Sequence, residues 1–185
     1  YLIDLHDEFW NHGEVKILCE GAQGFGLDID WGDYPFVTSS HCLTSSVMLN
    51  AIPHYAIRDV WGVAKAYETY VGAKQFQPPH NKVFDHIQEV GQEFGATTGR
   101  VRQCNWINLP FLKKSVQLNA VNKIVFNKMD VVRQVQNWSL KNNDGKSNFY
   151  EYYSTEEEFT HRIEEFLADA VKDLEIHFSD NPHRI

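Results

Sequence analysis

At 185 residues, 43% of them hydrophobic, the chain is long enough to bury a real core and too apolar to be disordered or fibrous. A formal charge of −8, with no Lys/Arg run along a helix, excludes an extended nucleic-acid partner. The odd set Cys19, Cys42 and Cys104 contains no C-x-x-C pair, which argues against a disulfide framework and a structural zinc site and predicts a reducing, cytoplasmic setting.

In chain order, Leu2, Leu5 and Phe9 stand at helical spacing, so residues 1–12 are predicted helical. They lack a signal peptide's charge order, and no run approaches the roughly 18 apolar residues of a bilayer span, so no membrane partner is expected. Because the chain opens on Tyr1 rather than Met, it is expected to start partway into a longer protein. Val15-Lys16-Ile17-Leu18-Cys19 reads as a short buried strand running into the loop Glu20-Gly21-Ala22-Gln23-Gly24. Helix, strand and glycine loop in that order predict an α/β fold, in which ligands gather at the C-terminal strand ends. Asp28, Asp30 and Asp33 do not make a calcium loop, because Asp33 and Ser39 stand where Gly and Glu are required. A second strand is expected near Val60 to Tyr67, a helix over Pro110 to Asn122, and a third strand at Ile124-Val125-Phe126.

The later chain predicts a hairpin: Val135 to Leu140, the turn Asn142-Asn143-Asp144-Gly145, then Phe149 to Tyr153. Ser154 with Glu157 reads as a capping box opening a helix that turns Phe159, Ile163, Phe166, Leu167 and Ala170 inward. Leu174 to Phe178 closes the chain as a strand. With no repeat, low-complexity tract or linker, residues 1–185 are expected to form one domain.

Two stretches carry chemistry. Glu93 to Arg102 packs Gly95, Gly99, Thr97, Thr98, Arg100 and Arg102 into one short loop. The glycines permit close backbone approach, the hydroxyls donate, and each guanidinium can grip a carboxylate or phosphate bidentately, so the loop is suited to an anion. The alternative is a turn with a solvated basic edge. Asn127-Lys128-Met129-Asp130 follows an apolar strand and has the N-K-x-D form of a guanine-reading turn, in which the carboxylate accepts from the base N1 and 2-amino groups. A plain surface turn is its alternative. The nine His show no metal-ligand spacing, so no metal site is expected within this chain, and no nucleophile elbow or Lys-bearing glycine loop occurs.

Four blocks in one order resemble the adenylosuccinate synthetase family: Glu20 to Gly24 with Leu27 to Asp30, Tyr34 to Ser40, Lys65-Ala66-Tyr67 through Val71-Gly72, and Glu93 to Arg102. The Lys128-x-Asp130 element follows at the family's spacing. The similarity is dense from Val15 to Val132 and thins afterward, where Arg162 to Glu165 and Ser179 to Pro182 look like the family's closing helix and base-contacting turn. The resemblance implies a P-loop-like, GTPase-related mixed sheet flanked by helices, of which this chain would be the C-terminal portion. It implies a C–N ligase of AMP biosynthesis that joins inosinate (IMP) to L-aspartate with GTP and magnesium. The 6-oxygen is phosphorylated first, and the aspartate amine then displaces the phosphate at C6.

By the same resemblance Gln23, Leu27, Thr38, Val71 and Arg100 would line the purine nucleotide, Gln23 also serving catalysis at the 6-oxygen. Thr97, Thr98, Arg100 and Arg102 would hold the aspartate carboxylates. Lys128, Asp130, Ser179 and Pro182 would hold the guanine of GTP. Magnesium would be bound mainly by the N-terminal half, which also carries the phosphate loop and general base, and the partners implied are a homodimer, that complementary half, or both. Without those groups the chain is not expected to complete phosphoryl transfer alone. Departures from the family pattern fall at Trp31, Asp33, His41, Tyr70, Pro79-His80 and Val101. They keep open the same reaction on a guanylate-type nucleotide, and a non-catalytic guanine-nucleotide-binding module. The aromatic share of 14% further predicts a surface made for a partner.

Overall fold

The alternation of apolar runs with polar, helix-forming stretches is realised as α1 (Leu5–Trp10), β1 (Trp61–Lys65), β2 (Glu68–Tyr70), α2 (Lys82–Gly91), β3 (Gln103–Asn105), β4 (Ile107–Asn108), α3 (Leu109–Leu118), β5 (Lys123–Asn127), α4 (Met129–Val135), β6 (Trp138–Asn143), β7 (Asn148–Tyr153), α5 (Glu156–Leu167) and β8 (Glu175–Phe178). The computed structural model describes residues 4–11, 13–95 and 99–181, and the chain divides into two compact units, Tyr1–Val60 and Trp61–Ile185.

In the second unit β1, β5 and β8 form a parallel sheet in that order, with Trp61 opposite Lys123 and Lys123 opposite Glu175. Ile124, Val125 and Phe126 in the central strand are buried, as a parallel strand covered by helices requires. Phe84 and Ile87 of α2, Leu109 and Val116 of α3, Met129, Val131 and Val132 of α4, and Phe159, Ile163 and Leu167 of α5 bury their apolar faces. Two smaller sheets complete the unit: β2 pairs antiparallel with β3, and β6 lies between a parallel β4 and an antiparallel β7. The result is a mixed α/β fold with a helix-flanked parallel sheet, as the sequence predicts.

The β5 and β8 strands fall where expected, α3 forms but ends at Leu118, and the hairpin forms with its first strand at Trp138–Asn143, so that Asn142 and Asn143, expected in the turn, pair in the ladder. Three details differ. Val135 ends α4 instead of opening a strand, because Gln136 turns left-handed at φ 54° and stops the helix. The cap of α5 lies one residue later: the Thr155 hydroxyl accepts from Glu158 N, and the Glu158 carboxylate accepts from Ser154 N. Among the inward residues expected on α5, Phe166 and Ala170 are only half-buried. Unforeseen in the sequence is α2, opened by the Asn81 side chain accepting from Val83 N at 3.1 Å. It closes without a glycine: Gln92 adopts φ 52°, and Glu93 N reaches back to Gln88 O at 3.0 Å.

The first unit is built from loops. Its α1 is capped by Asp4, which accepts from His6 N and Asp7 N, and short 3-10 turns occupy Phe25–Leu27, Thr44–Asn50 and His54–Ala56. The predicted strand Val15 to Cys19 is absent. Its backbone finds no ladder partner among the described residues, and Val15, Ile17 and Leu18 are exposed, Leu18 at 95%. An apolar run becomes a strand only when another strand pairs with it.

Candidate functional site

In the first unit, residues 23–42 fold around one buried carboxylate. Asp28 accepts from Asp30 N and Trp31 N at 2.9 Å each through Oδ1, and from Cys42 N at 2.6 Å through Oδ2. Burial disfavours its charge, but the three N–H donors outweigh that and hold the carboxyl below its ordinary value. The adjoining backbone is cross-tied by Thr38 N to Leu27 O at 2.8 Å and Ile29 N to Ser40 O at 3.2 Å. Gly32 is required here, because a Cβ would stand 2.5 Å from Asp28 O and 2.6 Å from Gly26 O. Leu27 and Thr38 are thus brought side by side. Gln23, left-handed at φ 57° and exposed, joins them through Cys42 Sγ, 3.9 Å from its Oε1.

Asp28, Asp30 and His41 also bring ligand atoms within 4.8 Å of one another, with His41 Nδ1 at 3.3 Å from Asp30 Oδ2. This set does not fit a magnesium ion, since both Asp28 oxygens already serve backbone N–H groups and imidazole is a poor match for a hard cation.

In the second unit, the Arg loop starts where α2 stops. Phe94 bridges Val101, Gly95 N donates to Arg100 O at 2.8 Å and Gly99 N to Gly95 O at 2.8 Å, so the two flanks of the loop are tied together at its base. Arg100, bonded to Gly95 across the loop's base, is exposed. Thr97 and Thr98 lie outside the described residues. Tyr70 pairs with Gln103 across the β2–β3 ladder, so Val71 and Arg102 leave the same end of that sheet, Val71 40% exposed.

Beneath the loop lies a cluster that the sequence does not announce. Glu93, 2% exposed, receives Lys65 Nζ at 2.7 Å on both oxygens, Tyr67 Oη at 2.6 Å and Arg102 Nη1 at 3.2 Å. Burial opposes its charge, yet the bonds from Lys65 and Tyr67 and the charges of Lys65 and Arg102 prevail and hold its carboxyl below the usual range. Lys65 is shifted down, first by burial and then by the like charges of Arg102 and Lys128, against the pull of Glu93. The shifts agree physically: one carboxylate is shared among cations, which favours its charge more than any one of theirs. The only sequence signal for this cluster is an acid opening an otherwise basic loop.

The N-K-x-D turn sits at the C-terminal ends of β5 and β8. Lys128 adopts φ 64° and precedes α4, whose first turn carries the exposed Asp130. Ser179 N donates to Phe126 O at 2.8 Å, Met129 N donates to Ser179 O at 3.3 Å, and Ser179 Oγ donates to Asn181 O at 2.8 Å. Lys128 and Ser179, 51 residues apart in sequence, are therefore brought to one corner by the parallel pairing of β5 with β8, with Asp130 on the adjoining first turn of α4. Lys128 Nζ also donates to Gly91 O at 3.2 Å, tying this corner to the end of α2. Asn127 Oδ1 is buried without a hydrogen-bond partner among the described residues. Pro182 lies outside the described residues.

The family model for adenylosuccinate synthetase matches residues 3–172. The chain is 46% identical over 123 residues to the adenylosuccinate synthetase of Yarrowia lipolytica, which covers 65% of this chain and 29% of that protein. It is 48% identical over 120 residues to that of Bacteroides fragilis, covering 63% of this chain and 28% of the relative. The matched segment thus spans under a third of the length of these two relatives. Its fold superposes on the fully ligated adenylosuccinate synthetase of Plasmodium falciparum with TM-score 0.74 and 26% identity, over 88% of this chain and 47% of the other. A cyanophage S-2L succinoaminodeoxyadenylate synthetase shares the fold at TM-score 0.56 and 16% identity, over 88% of this chain and 43% of the other.

Proposed function

The chain belongs to the adenylosuccinate synthetase family, and from that premise we propose that it carries the guanine, purine-nucleotide and aspartate recognition loops of a C–N ligase of purine biosynthesis. The observation that carries this reading is the convergence of Lys128, Asp130 and Ser179 at the C-terminal ends of β5 and β8, where open α/β sheets bind their ligands. There the Asp130 carboxylate would accept from guanine N1–H and the 2-amino group, with the Lys128 stem against the ring. Adenine offers no such donor pair, so the carboxylate selects guanine.

Arg100 and Arg102, with Thr97 and Thr98, would bind the two carboxylates of L-aspartate. Leu27 and Thr38 would contact the inosinate, as would Val71 and Arg100, and Gln23 would donate to the 6-oxygen as negative charge develops there. GTP would supply the phosphoryl group that turns that oxygen into a leaving group. Magnesium neutralises phosphate charge in such a reaction; the described residues do not fit it, and it would be held by groups outside them. The working assembly would pair this chain with a complementary N-terminal portion, a second copy, or both, in the cytoplasm. No helix among the described residues is long and apolar enough to cross a membrane.

The test is calorimetric titration of guanosine diphosphate into the chain and into Asp130→Asn. An asparagine keeps one acceptor and gains a donor, which suits a 2-oxo base better than a 2-amino one. Guanosine diphosphate should bind the unaltered chain, and the variant should lose about 2 kcal/mol of that affinity while gaining affinity for xanthosine diphosphate. Equal binding of guanosine and adenosine diphosphates by the unaltered chain would sink the reading.

A further inference from the structure

We propose that Glu93 is a positioning residue for the carboxylate-binding loop: fixed by Lys65 and Tyr67, it orients the Arg102 guanidinium toward the amino-acid substrate. The inference rests on the reading of Arg102 as an aspartate-binding group.

Three of the bonds that hold Arg102 come from the last turn of α2 and from Glu93 just past its cap. The Arg102 N–H donates to Glu93 O at 2.9 Å, its carbonyl accepts from Gln88 Nε2 at 2.7 Å, and its Nη1 donates to Glu93 Oε2 at 3.2 Å. Main chain and side-chain tip are therefore both set by one rigid helix terminus. The Glu93 contact uses only Nη1 and leaves the other N–H donors of the guanidinium outside the pair. The Arg102 side chain is 33% exposed, so those donors are not sealed in the core.

Glu93 itself is immobilised. Its two oxygens accept four contacts, from Lys65 twice, Tyr67 and Arg102, matching the roughly four lone-pair sites of a carboxylate. Tyr67 is 1% exposed, and its ordinary value is raised by burial and by the bond to Glu93, so the phenol stays protonated and donates. A Cβ on Gly91 would meet Tyr67 Oη at 2.5 Å, so the helix terminus and the phenol are packed without slack. For stability alone this arrangement is a poor choice, since a buried ion pair replaced by well-packed apolar residues generally loses nothing. A buried acid that fixes the direction of an arginine is the better account, because pairing charge with geometry is what an apolar core cannot supply.

The experiment is calorimetric titration of L-aspartate, in the presence of inosinate, into the chain and into Glu93→Gln and Tyr67→Phe, with guanosine diphosphate titrated in parallel. Glu93→Gln keeps the volume and an acceptor for Tyr67 but removes the charge. Aspartate affinity should fall roughly 10- to 100-fold, while guanosine diphosphate affinity stays within about threefold. Tyr67→Phe, which leaves the ion pairs intact, should weaken aspartate binding by roughly threefold to tenfold and carries the test if Glu93→Gln does not fold. A merely structural role would weaken both ligands together or lower the unfolding temperature alone, and either result overturns the inference. Aspartate binding unchanged in both variants overturns it while leaving the carboxylate reading intact. No aspartate binding by the unaltered chain removes that reading and this inference with it.

Discussion

The loops bearing Gln23, Leu27 and Thr38 and those bearing Arg102, Lys128 and Ser179 are held in place by different means. In the first unit no strand among the described residues supports the loops: residues 23–42 are organised by a single buried carboxylate and a few backbone cross-ties. In the second, loops leave the ends of β3, β5 and β8, so each is already fixed on one side by a ladder, and ion pairs only refine it. Loops organised by one side chain should fail at that side chain. Loops organised by a sheet should yield gradually.

The largest single effect is therefore expected at Asp28. Asp28→Asn replaces one acceptor oxygen by an amide that faces a backbone N–H, leaving buried donors unpaired, at a cost of about 2 to 4 kcal/mol. Amide hydrogen exchange should accelerate first at Asp30, Trp31 and Cys42, whose N–H groups the carboxylate holds. Unchanged protection at those three amides would mean that the loops have another anchor, and the contrast between the units would dissolve.

What the sequence discloses follows the same division. The core strand Ile124-Val125-Phe126, the turn after it, the 138–153 hairpin and the closing strand are legible because burial and local turn chemistry dictate them. Val15 to Cys19 has the same apolar signature and is no strand, because periodicity reports what a segment would bury and not whether a partner is present. The helix Lys82–Gly91 escapes notice because it follows Pro78-Pro79 and stops on a left-handed Gln92 where a glycine would be the usual signal. Arg102 reads as an anion grip from its neighbours, yet its own partner is Glu93, and the donors that immobilise that acid lie 26 and 28 residues away. Local chemistry names the loop, and tertiary contacts decide which way its arginine faces.

A middle-sized effect tests the sheet-borne unit through pH. Burial raises the half-buried Glu68 carboxyl to about 7, despite the Asn108 N–H at 3.1 Å and the charges of Lys141 and Lys74. Its ordinary value is 4.5, so the folded chain holds this proton more tightly than the unfolded one. The stability it contributes is complete below about pH 4.5 and is lost as pH rises through about 7. Chemical denaturation should show the chain weakening by about 3 kcal/mol across that window. Glu68→Gln should flatten the slope and exceed the unaltered chain in stability at pH 8. A slope that survives the substitution would assign it to another group.

The smallest effect is expected at Arg133, and its size bears most directly on how the second unit is organised. Its Nε and Nη2 grip Glu156 at 2.7 and 2.6 Å and its Nη1 reaches Asp180 at 2.8 Å, tying α4 to the start of α5 and to the turn after β8. The geometry is bidentate, but Arg133 is 47% exposed and Asp180 52%, so solvent screens most of the attraction. Arg133→Met keeps the apolar stem, and should cost only about 0.5 to 1 kcal/mol in thermal unfolding at low salt and less at high salt. Ser179 remains bonded to Phe126 and Met129 through its backbone, so the turn should loosen without leaving the corner. Guanosine diphosphate affinity should accordingly fall no more than roughly threefold. A loss as large as that expected for Asp28→Asn would show that the turn hangs on one ion pair, and that the sheet beneath it contributes far less than its ladder implies.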